Sequence, residues 1–214
     1  MQGTRVYLVR HGATVWNSAG RYQGHSDIVL SSDGRRQAEL LTDRLRRVHL
    51  DGVYASDLIR ARETAATIAA PHSLAINTRA ALREINFGSW EGLTYQEIIA
   101  GYPGEWEEWR RNPATRPVPG GESFQQVQER VGQAFNRIVA QEKGRNILLV
   151  AHGGSLRTLI CTILGLDLNA VWRFRLDNTG VSVVDCYDDT SILVLLNDTH
   201  HLEALGGPDG SGIL

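Results

Sequence analysis

The stretch Val6-Tyr7-Leu8-Val9-Arg10-His11-Gly12 decides the fold of this chain. It begins with four consecutive apolar residues, two of them β-branched and one aromatic, a pattern typical of a strand buried in a parallel sheet. Arg10 and His11 follow at the carboxyl end of that strand, the edge at which open α/β sheets bind their ligands. The stretch therefore predicts an α/β fold with a basic side chain and an imidazole at its ligand-binding edge.

A second apolar run of the same kind lies far downstream and reads Ile147-Leu148-Leu149-Val150-Ala151-His152-Gly153-Gly154. If both runs are strands of one sheet, their ends bring His11, His152 and Arg10 together. Such a cationic cluster needs an anion, and phosphate is the small tetrahedral anion that planar arginine donors suit best. The two runs together predict a phosphate site.

The composition limits the classes of protein and partner. A chain of 214 residues is long enough for one compact α/β domain, so we expect a single domain over residues 1–214. Lys and Arg number 22 against 24 Asp and Glu, and a net charge of −2 does not favour binding to nucleic acid or to an anionic membrane. The amino terminus has no apolar signal region and no run reaches about 18 apolar residues, which predicts a cytoplasmic protein with no membrane partner.

The two cysteines and the adjacent pair of histidines are weaker evidence about function. Cys161 lies in an apolar helical segment and Cys186 at a strand end, and in a cytoplasmic chain we expect both to be buried, reduced thiols. His200 and His201 are adjacent, but no carboxylate at a suitable spacing supports a metal site. We therefore expect no bound metal.

Helical and alternating spacing of apolar residues predicts the remaining elements. These are helices over residues 31–48, 57–69, 120–139 and 154–164, strands over residues 53–56, 74–76, 181–186 and 192–196, and a hairpin turn at residues 188–189. Asp57 is expected to cap the second helix, which puts Arg60 in its first turn near the sheet edge. Positions two apart diverge on a helix, so only one of Arg60 and Arg62 is expected to enter the site.

Residues 94–119 are predicted to form a lid-like insertion that covers the sheet edge and selects the substrate. Trp106 and Trp109 are three apart and can share one helical face, so we expect them to anchor the insertion to the body of the protein. A homodimer contact through the apolar residues Trp172 and Phe174 is an open alternative.

Five blocks of this sequence, in order, resemble the histidine phosphatase superfamily, the phosphoglycerate mutase-like proteins. The blocks are Arg10-His11-Gly12-Ala13-Thr14-Val15-Trp16-Asn17, Tyr22-Gln23-Gly24, residues 55–65, residues 82–92 and Ala151-His152-Gly153-Gly154. A lone Arg-His-Gly is weak evidence, whereas five ordered blocks are specific. The resemblance implies a three-layer α/β/α sandwich with a mostly parallel central sheet.

The resemblance also implies a catalytic role for three residues. His11 is expected to attack phosphorus and form a phosphohistidine, which splits one displacement into two easier steps. Glu84 would protonate the leaving alcohol and then activate water, while His152 would hydrogen-bond the transferring phosphoryl group. Neither a metal nor another cofactor is required. Because His11 must be neutral to attack, we expect Arg10 and Arg60 to lower its pKa by charge repulsion.

Further residues are expected to bind the substrate. The implied phosphate-binding residues are Arg10, Asn17, Gln23, Gly24, Arg60 and Gly153, the last through its backbone N–H at the start of a helix. The segment that ends in His201 is similar to the tail of cofactor-free phosphoserine phosphatases, which makes His201 a candidate contact for a substrate carboxylate.

The main interpretation is a phosphomonoester hydrolase that acts on a small phosphorylated metabolite. The block around Glu84 resembles the phosphatase branch. Within that branch, three activities are open alternatives: α-ribazole phosphatase, metal-independent phosphoserine phosphatase and a broad-specificity phosphatase. A phosphoglycerate mutase is the alternative; it is kept open by basic residues of the insertion, Arg110, Arg111 and Arg116. A non-catalytic domain that binds a phospho-ligand is the minor alternative, and it predicts loss of the nucleophile or the acid.

Overall fold

The computed structural model describes residues 3–207, so the two ends of the predicted domain, residues 1–2 and 208–214, lie outside the described residues. Its centre is a six-stranded sheet. The strands are β1 (Thr4–Arg10), β2 (Gly52–Ala55), β3 (Ile76–Thr78), β4 (Asn146–Ala151), β5 (Val181–Cys186) and β6 (Ser191–Asp198). Their order is β3-β2-β4-β1-β5-β6; the first four are parallel, β5 pairs antiparallel with β1, and β6 pairs antiparallel with β5.

Helices cover both faces of the sheet. The α-helices are α1 (Val15–Ser18), α2 (Ser32–Leu45), α3 (Ile59–Ala69), α4 (Tyr95–Gly101), α5 (Glu105–Arg111), α6 (Phe124–Gln141) and α7 (Gly153–Ile163), and short 3₁₀ helices include Leu168–Trp172 and His200–Leu205. One apolar core lies between the sheet and α6 with α7, and the other between the sheet and α2 with α3. This confirms the predicted three-layer sandwich.

The register of the two central strands positions the predicted site. Arg10 of β1 pairs with Ala151 of β4. Their next residues, His11 and His152, therefore leave the sheet side by side at its carboxyl edge. Successive side chains of each strand point to opposite faces, so both apolar cores are filled from the same strands.

Several predicted boundaries are corrected. Asp57 does not cap α3: both of its carboxylate oxygens bind Arg83, at 2.7 and 2.6 Å, and Asp27 Oδ1 instead accepts the Ile59 N–H at 2.6 Å. The third strand lies two residues later than predicted, and α2 ends three residues earlier. The long helix begins at residue 124 because the Ser123 side chain caps it.

The insertion is anchored by aromatic packing. Trp109 is only 1% exposed. It contacts the rings of Phe87, Trp90, Phe124 and Trp172. Trp106 donates from its indole Nε1 to the Tyr22 hydroxyl at 2.9 Å. Trp106 and Trp109 thus pack against the rest of the protein, as expected, while the lid role of residues 94–119 and the homodimer contact stay predictions.

Two further expectations concern the interior and the membrane. Cys161 and Cys186 are buried free thiols, as predicted, and burial raises the pKa of Cys161 to about 11. Across residues 3–207, none of the helices has the length and apolarity needed to cross a membrane.

Candidate active site

A cavity opens at the carboxyl ends of β1 and β4. The residues that line it are Arg10, His11, Asn17, Arg21, Tyr22, Gln23, Gly24, Arg60, Glu84 and Phe87. Seven of the predicted site residues therefore meet in one place, although they come from four separate segments of the chain. Three other predicted residues, His152, Gly153 and His201, are not part of this lining.

One ring nitrogen of His11 forms a hydrogen bond that holds the imidazole in place. Its Nδ1 lies 2.7 Å from the Gly12 carbonyl oxygen, which can only accept a hydrogen bond, so Nδ1 carries the proton. The lone pair of a neutral ring is then on Nε2. Burial lowers the pKa of His11 well below its usual value, and the Arg60 and Arg10 charges lower it further. The pKa of His11 is lowered as expected, with desolvation rather than charge repulsion as the larger cause, and its role as nucleophile stays a prediction.

His152 packs directly against His11. The two imidazole ring centroids are 5.1 Å apart, and His152 has no exposed surface. Burial lowers the pKa of His152 well below its usual value, and the Arg60 charge and His11 lower it further. A neutral imidazole keeps one N–H, so His152 can donate one hydrogen bond to a group bound at His11.

Two buried guanidinium groups are fixed by backbone carbonyls. Arg60 donates to Ser26 O at 2.8 Å and to Gly24 O at 2.7 Å, and Arg10 donates to Leu176 O at 2.7 Å. Burial lowers the pKa of Arg60 to about 10, which leaves it charged at neutral pH. Because carbonyls set the orientation of both groups before any ligand arrives, the cavity is preorganised for an anion.

Glu84 is bound by three backbone N–H groups. Its Oε2 accepts from Gly154 at 3.0 Å, and its Oε1 accepts from Ser155 at 3.0 Å and from its neighbour Ile85 at 2.9 Å. Oε1 thus uses two acceptor positions and Oε2 one, so Oε2 is the oxygen better placed to carry a proton. The N–H groups of Gly154 and Ser155 in the first turn of α7 bind Glu84, and the predicted contact of the Gly153 N–H with phosphate stays a prediction.

The remaining predicted phosphate ligands are close to their expected places. Asn17 Oδ1 accepts from the Thr14 N–H at 3.0 Å, so the Asn17 amide NH₂ is the group that can donate into the cavity. Gly24 has a φ of +53°, and a Cβ there would collide with Glu91. The close approach of Glu91 and the positive φ explain why glycine occupies this position.

His201 contacts Thr179 through one ring nitrogen, and its predicted contact with a substrate carboxylate stays a prediction. Its Nε2 lies 3.0 Å from the Thr179 hydroxyl oxygen. Burial lowers the pKa of His201 to about 4, so the ring is neutral at neutral pH and lacks the charge that would attract a substrate carboxylate.

Arg21 of the lining was not among the predicted site residues, and neither were two arginines that lie outside the lining, Arg130 and Arg157. Arg130 on α6 donates to the backbone carbonyls of Ala81, Arg83 and Glu84, at 2.8 to 2.9 Å, and so holds the loop that carries Glu84. Arg157 on α7 is 3% exposed, and burial lowers its pKa to about 10 with a further contribution from Arg10. A single charged residue in the apolar helix 153–163 was the signal for Arg157, whereas Arg130 lies on an ordinary amphipathic helix.

The sequence as a whole matches a known family over most of its length. The model of the histidine phosphatase superfamily, branch 1, matches residues 6–199. The chain belongs to this superfamily.

Curated relatives carry the names of two activities. Phosphoserine phosphatase 1 of Hydrogenobacter thermophilus is 35% identical over 198 residues, which cover 92% of this chain and 94% of that protein. A protein of Erwinia tasmaniensis named "Probable phosphoglycerate mutase GpmB" is 38% identical over 185 residues, 85% of this chain and 84% of that protein.

Solved structures show the same fold. Bacillus stearothermophilus YhfR superposes with a TM-score of 0.89 at 34% identity, over 93% of this chain and 99% of that one. The α-ribazole phosphatase of Shigella flexneri superposes with a TM-score of 0.83 at 31% identity, over 91% of this chain and 96% of that one.

Proposed function

We propose that this protein is a phosphomonoester hydrolase that acts on a small phosphorylated metabolite through a phosphohistidine at His11. The observation that carries the proposal is the buried, neutral His11, with its Nε2 unengaged by Gly12, in a cavity that also holds two fixed guanidinium groups and a carboxyl group. Membership of the histidine phosphatase superfamily supports it.

The proposed reaction has two displacement steps. In the first, His11 Nε2 attacks phosphorus, the bond to the ester oxygen breaks, and Glu84 Oε2 gives its proton to the leaving alcohol. In the second, Glu84 takes a proton from water, the water oxygen attacks phosphorus, and the P–N bond breaks to release phosphate. Arg10 and Arg60 stabilise the phosphoryl oxygens in both transition states.

The other predicted ligands have supporting roles in this proposal. His152 donates its single N–H to the transferring phosphoryl group, and the Asn17 amide donates to a phosphoryl oxygen. Gln23 and the backbone N–H of Gly24 line the same cavity. No metal is needed in this scheme, because the two guanidinium groups supply the positive charge that neutralises the phosphoryl oxygens.

The insertion favours hydrolysis over the mutase alternative. Arg110 and Arg111 line a separate depression with Trp106 and Trp172, outside the reaction cavity. Arg116 is paired with Glu105 at 2.8 Å and with Glu108 at 2.7 Å. The basic residues that a mutase would use to retain a second anionic group therefore point elsewhere. We propose that residues 94–119 act as a lid on a single domain that spans residues 1–214.

The experiment that tests the function is phosphate release from phosphoserine, α-ribazole phosphate, 3-phosphoglycerate and sugar phosphates, with a chelator present. His11→Ala should abolish release, and His49→Ala is the matched control because that histidine side chain is 80% exposed. Interconversion of 2- and 3-phosphoglycerate without release would indicate the mutase. Activity in neither assay would favour the non-catalytic phospho-ligand-binding domain, and loss of activity with the chelator would contradict the metal-independent scheme.

A further inference from the structure

Thr179 has a backbone conformation that β-branched residues avoid. Its φ is +56°, and the residue is completely buried. This left-handed region is costly for a residue with a branched Cβ, and such strain persists only where the surroundings require it. Glycine, which adopts this conformation freely, would be the default residue here. The threonine therefore calls for an explanation in its contacts.

The strained turn binds the end of β1. The Thr179 N–H donates to the Arg10 carbonyl at 2.9 Å, and the side-chain amide of the preceding Asn178 donates to the His11 carbonyl at 2.8 Å. On the opposite side, the His11 N–H donates to Ala151 O at 3.0 Å. The backbone at His11 is thus held by β4 on one side and by the turn before β5 on the other, and the left-handed turn is what places the Asn178 amide beside His11.

The Thr179 hydroxyl links this turn to His201. It donates to the Asn178 carbonyl at 2.8 Å, and its oxygen lies 3.0 Å from His201 Nε2. Because the hydroxyl proton is already given to Asn178, the His201 nitrogen must be the donor, which fixes the N–H of a neutral ring on Nε2. Glycine would satisfy the backbone but would lose this link.

We infer that Asn178 is a positioning residue for the nucleophile, held in place by the Thr179–His201 pair. The inference rests on the proposed function, because a nucleophile is what the turn would position. The His11 ring rotates about bonds that begin at its Cα, so a shift of its backbone moves Nε2 relative to phosphorus. A misplacement of about 1 Å can lower a rate about 100-fold.

The decisive experiment measures phosphohistidine formation in a single turnover. Asn178→Ala should slow this step by about 10- to 100-fold. The inhibition constant of inorganic phosphate should change little, because Arg60 and the Arg10 contact with Leu176 are untouched. Asn77→Ala is the control: it also removes a contact between a side-chain amide and a backbone carbonyl, at 3.5 Å from Val53 O, but in the exposed part of β3 and outside the cavity lining. A wild-type rate in Asn178→Ala, or an equal loss in Asn77→Ala, would overturn the inference.

A second pair of variants covers the case in which Asn178→Ala does not fold. Thr179→Val keeps the branched Cβ but removes the hydroxyl, and should slow phosphohistidine formation; Thr179→Ser keeps the hydroxyl and should restore most of the rate. Equal rates in the two variants would contradict the role of the Thr179–His201 pair. If the wild type forms no phosphohistidine, the proposed function fails and the inference falls with it, whereas wild-type formation with unaffected variants overturns the positioning role alone.

Discussion

Gly154→Ala tests whether the start of α7 positions the proposed acid. A Cβ at residue 154 would lie 2.5 Å from Glu84 Oε1, 3.1 Å from Ile85 Cγ2 and 3.3 Å from Glu84 Cδ. Ordinary contacts begin at 3.4 Å, so the Glu84 oxygen must retreat by about 0.9 Å. The backbone N–H of residue 154 is retained, and the change therefore displaces the carboxyl group without removing a donor.

The expected loss follows from that displacement. General acids contribute about 100- to 10,000-fold to a rate, and a shift near 1 Å costs up to about 100-fold. For a substrate with an alkyl leaving group, such as phosphoserine, phosphohistidine formation should fall about 100-fold. With 4-nitrophenyl phosphate the loss should be less than about tenfold, because 4-nitrophenolate leaves without protonation.

The assay is single-turnover phosphohistidine formation with both substrates, and Gly132→Ala is the control. Gly132 lies in α6, where an added Cβ meets only Thr162 Cγ2, at 4.0 Å. That variant should keep wild-type kinetics and gain about 0.5–1 kcal/mol of stability, as expected for glycine to alanine inside a helix. Equal losses with both substrates in Gly154→Ala would refute the reasoning, since they would show damage to phosphate binding rather than to the acid.

Two further predictions concern stability. The pKa values of His11, His152 and His201 are lowered in the folded state. Below about pH 6.5 the unfolded chain therefore binds more protons than the folded protein does. The free energy of unfolding should decrease from pH 6.5 to pH 5 by up to about 1.4 kcal/mol per pH unit for each histidine. Urea unfolding at several pH values measures this; His201→Gln should reduce the slope, and a stability that stays constant down to pH 5 would contradict it. Trp109→Ala should lower the free energy of unfolding by about 3–5 kcal/mol, since it empties a fully buried site, whereas the half-buried Trp106→Ala should cost less; equal losses in urea unfolding would argue against the packing role.

The fold was predictable because its signals are local. The apolar runs that became β1 and β4 identify themselves within seven residues, and helical spacing identifies α6 and α7. The errors lie where a side chain chooses a distant partner. Asp57 has the residue type and position of a helix cap, but Arg83, 26 residues later, binds both of its oxygens. A local sequence pattern does not show that a distant arginine will bind the carboxylate that the pattern assigns to a helix cap.

Part of the candidate site was also predictable from the sequence. The ends of β1 and β4 bring His11 and His152 together by strand pairing alone, and the family resemblance adds Glu84 and Arg60. Contacts to backbone carbonyls could not be foreseen, because every residue has a carbonyl and none is marked in the sequence. Asn178 is separated by 167 residues from the carbonyl that it binds.

The charges of the cavity explain why a phosphate monoester is the fitting ligand. Arg10 and Arg60 are charged, while the two imidazoles are neutral because they are buried. The two charges of a phosphate monoester dianion match the two cavity guanidinium groups, Arg10 and Arg60, that backbone carbonyls orient. The alcohol that leaves in the proposed first step needs a proton, and the Glu84 carboxyl group lies in the same cavity to supply it. When the alcohol leaves with that proton, the carboxylate formed is the base that the second step needs. A phosphodiester carries one charge less and matches the two guanidinium groups less well.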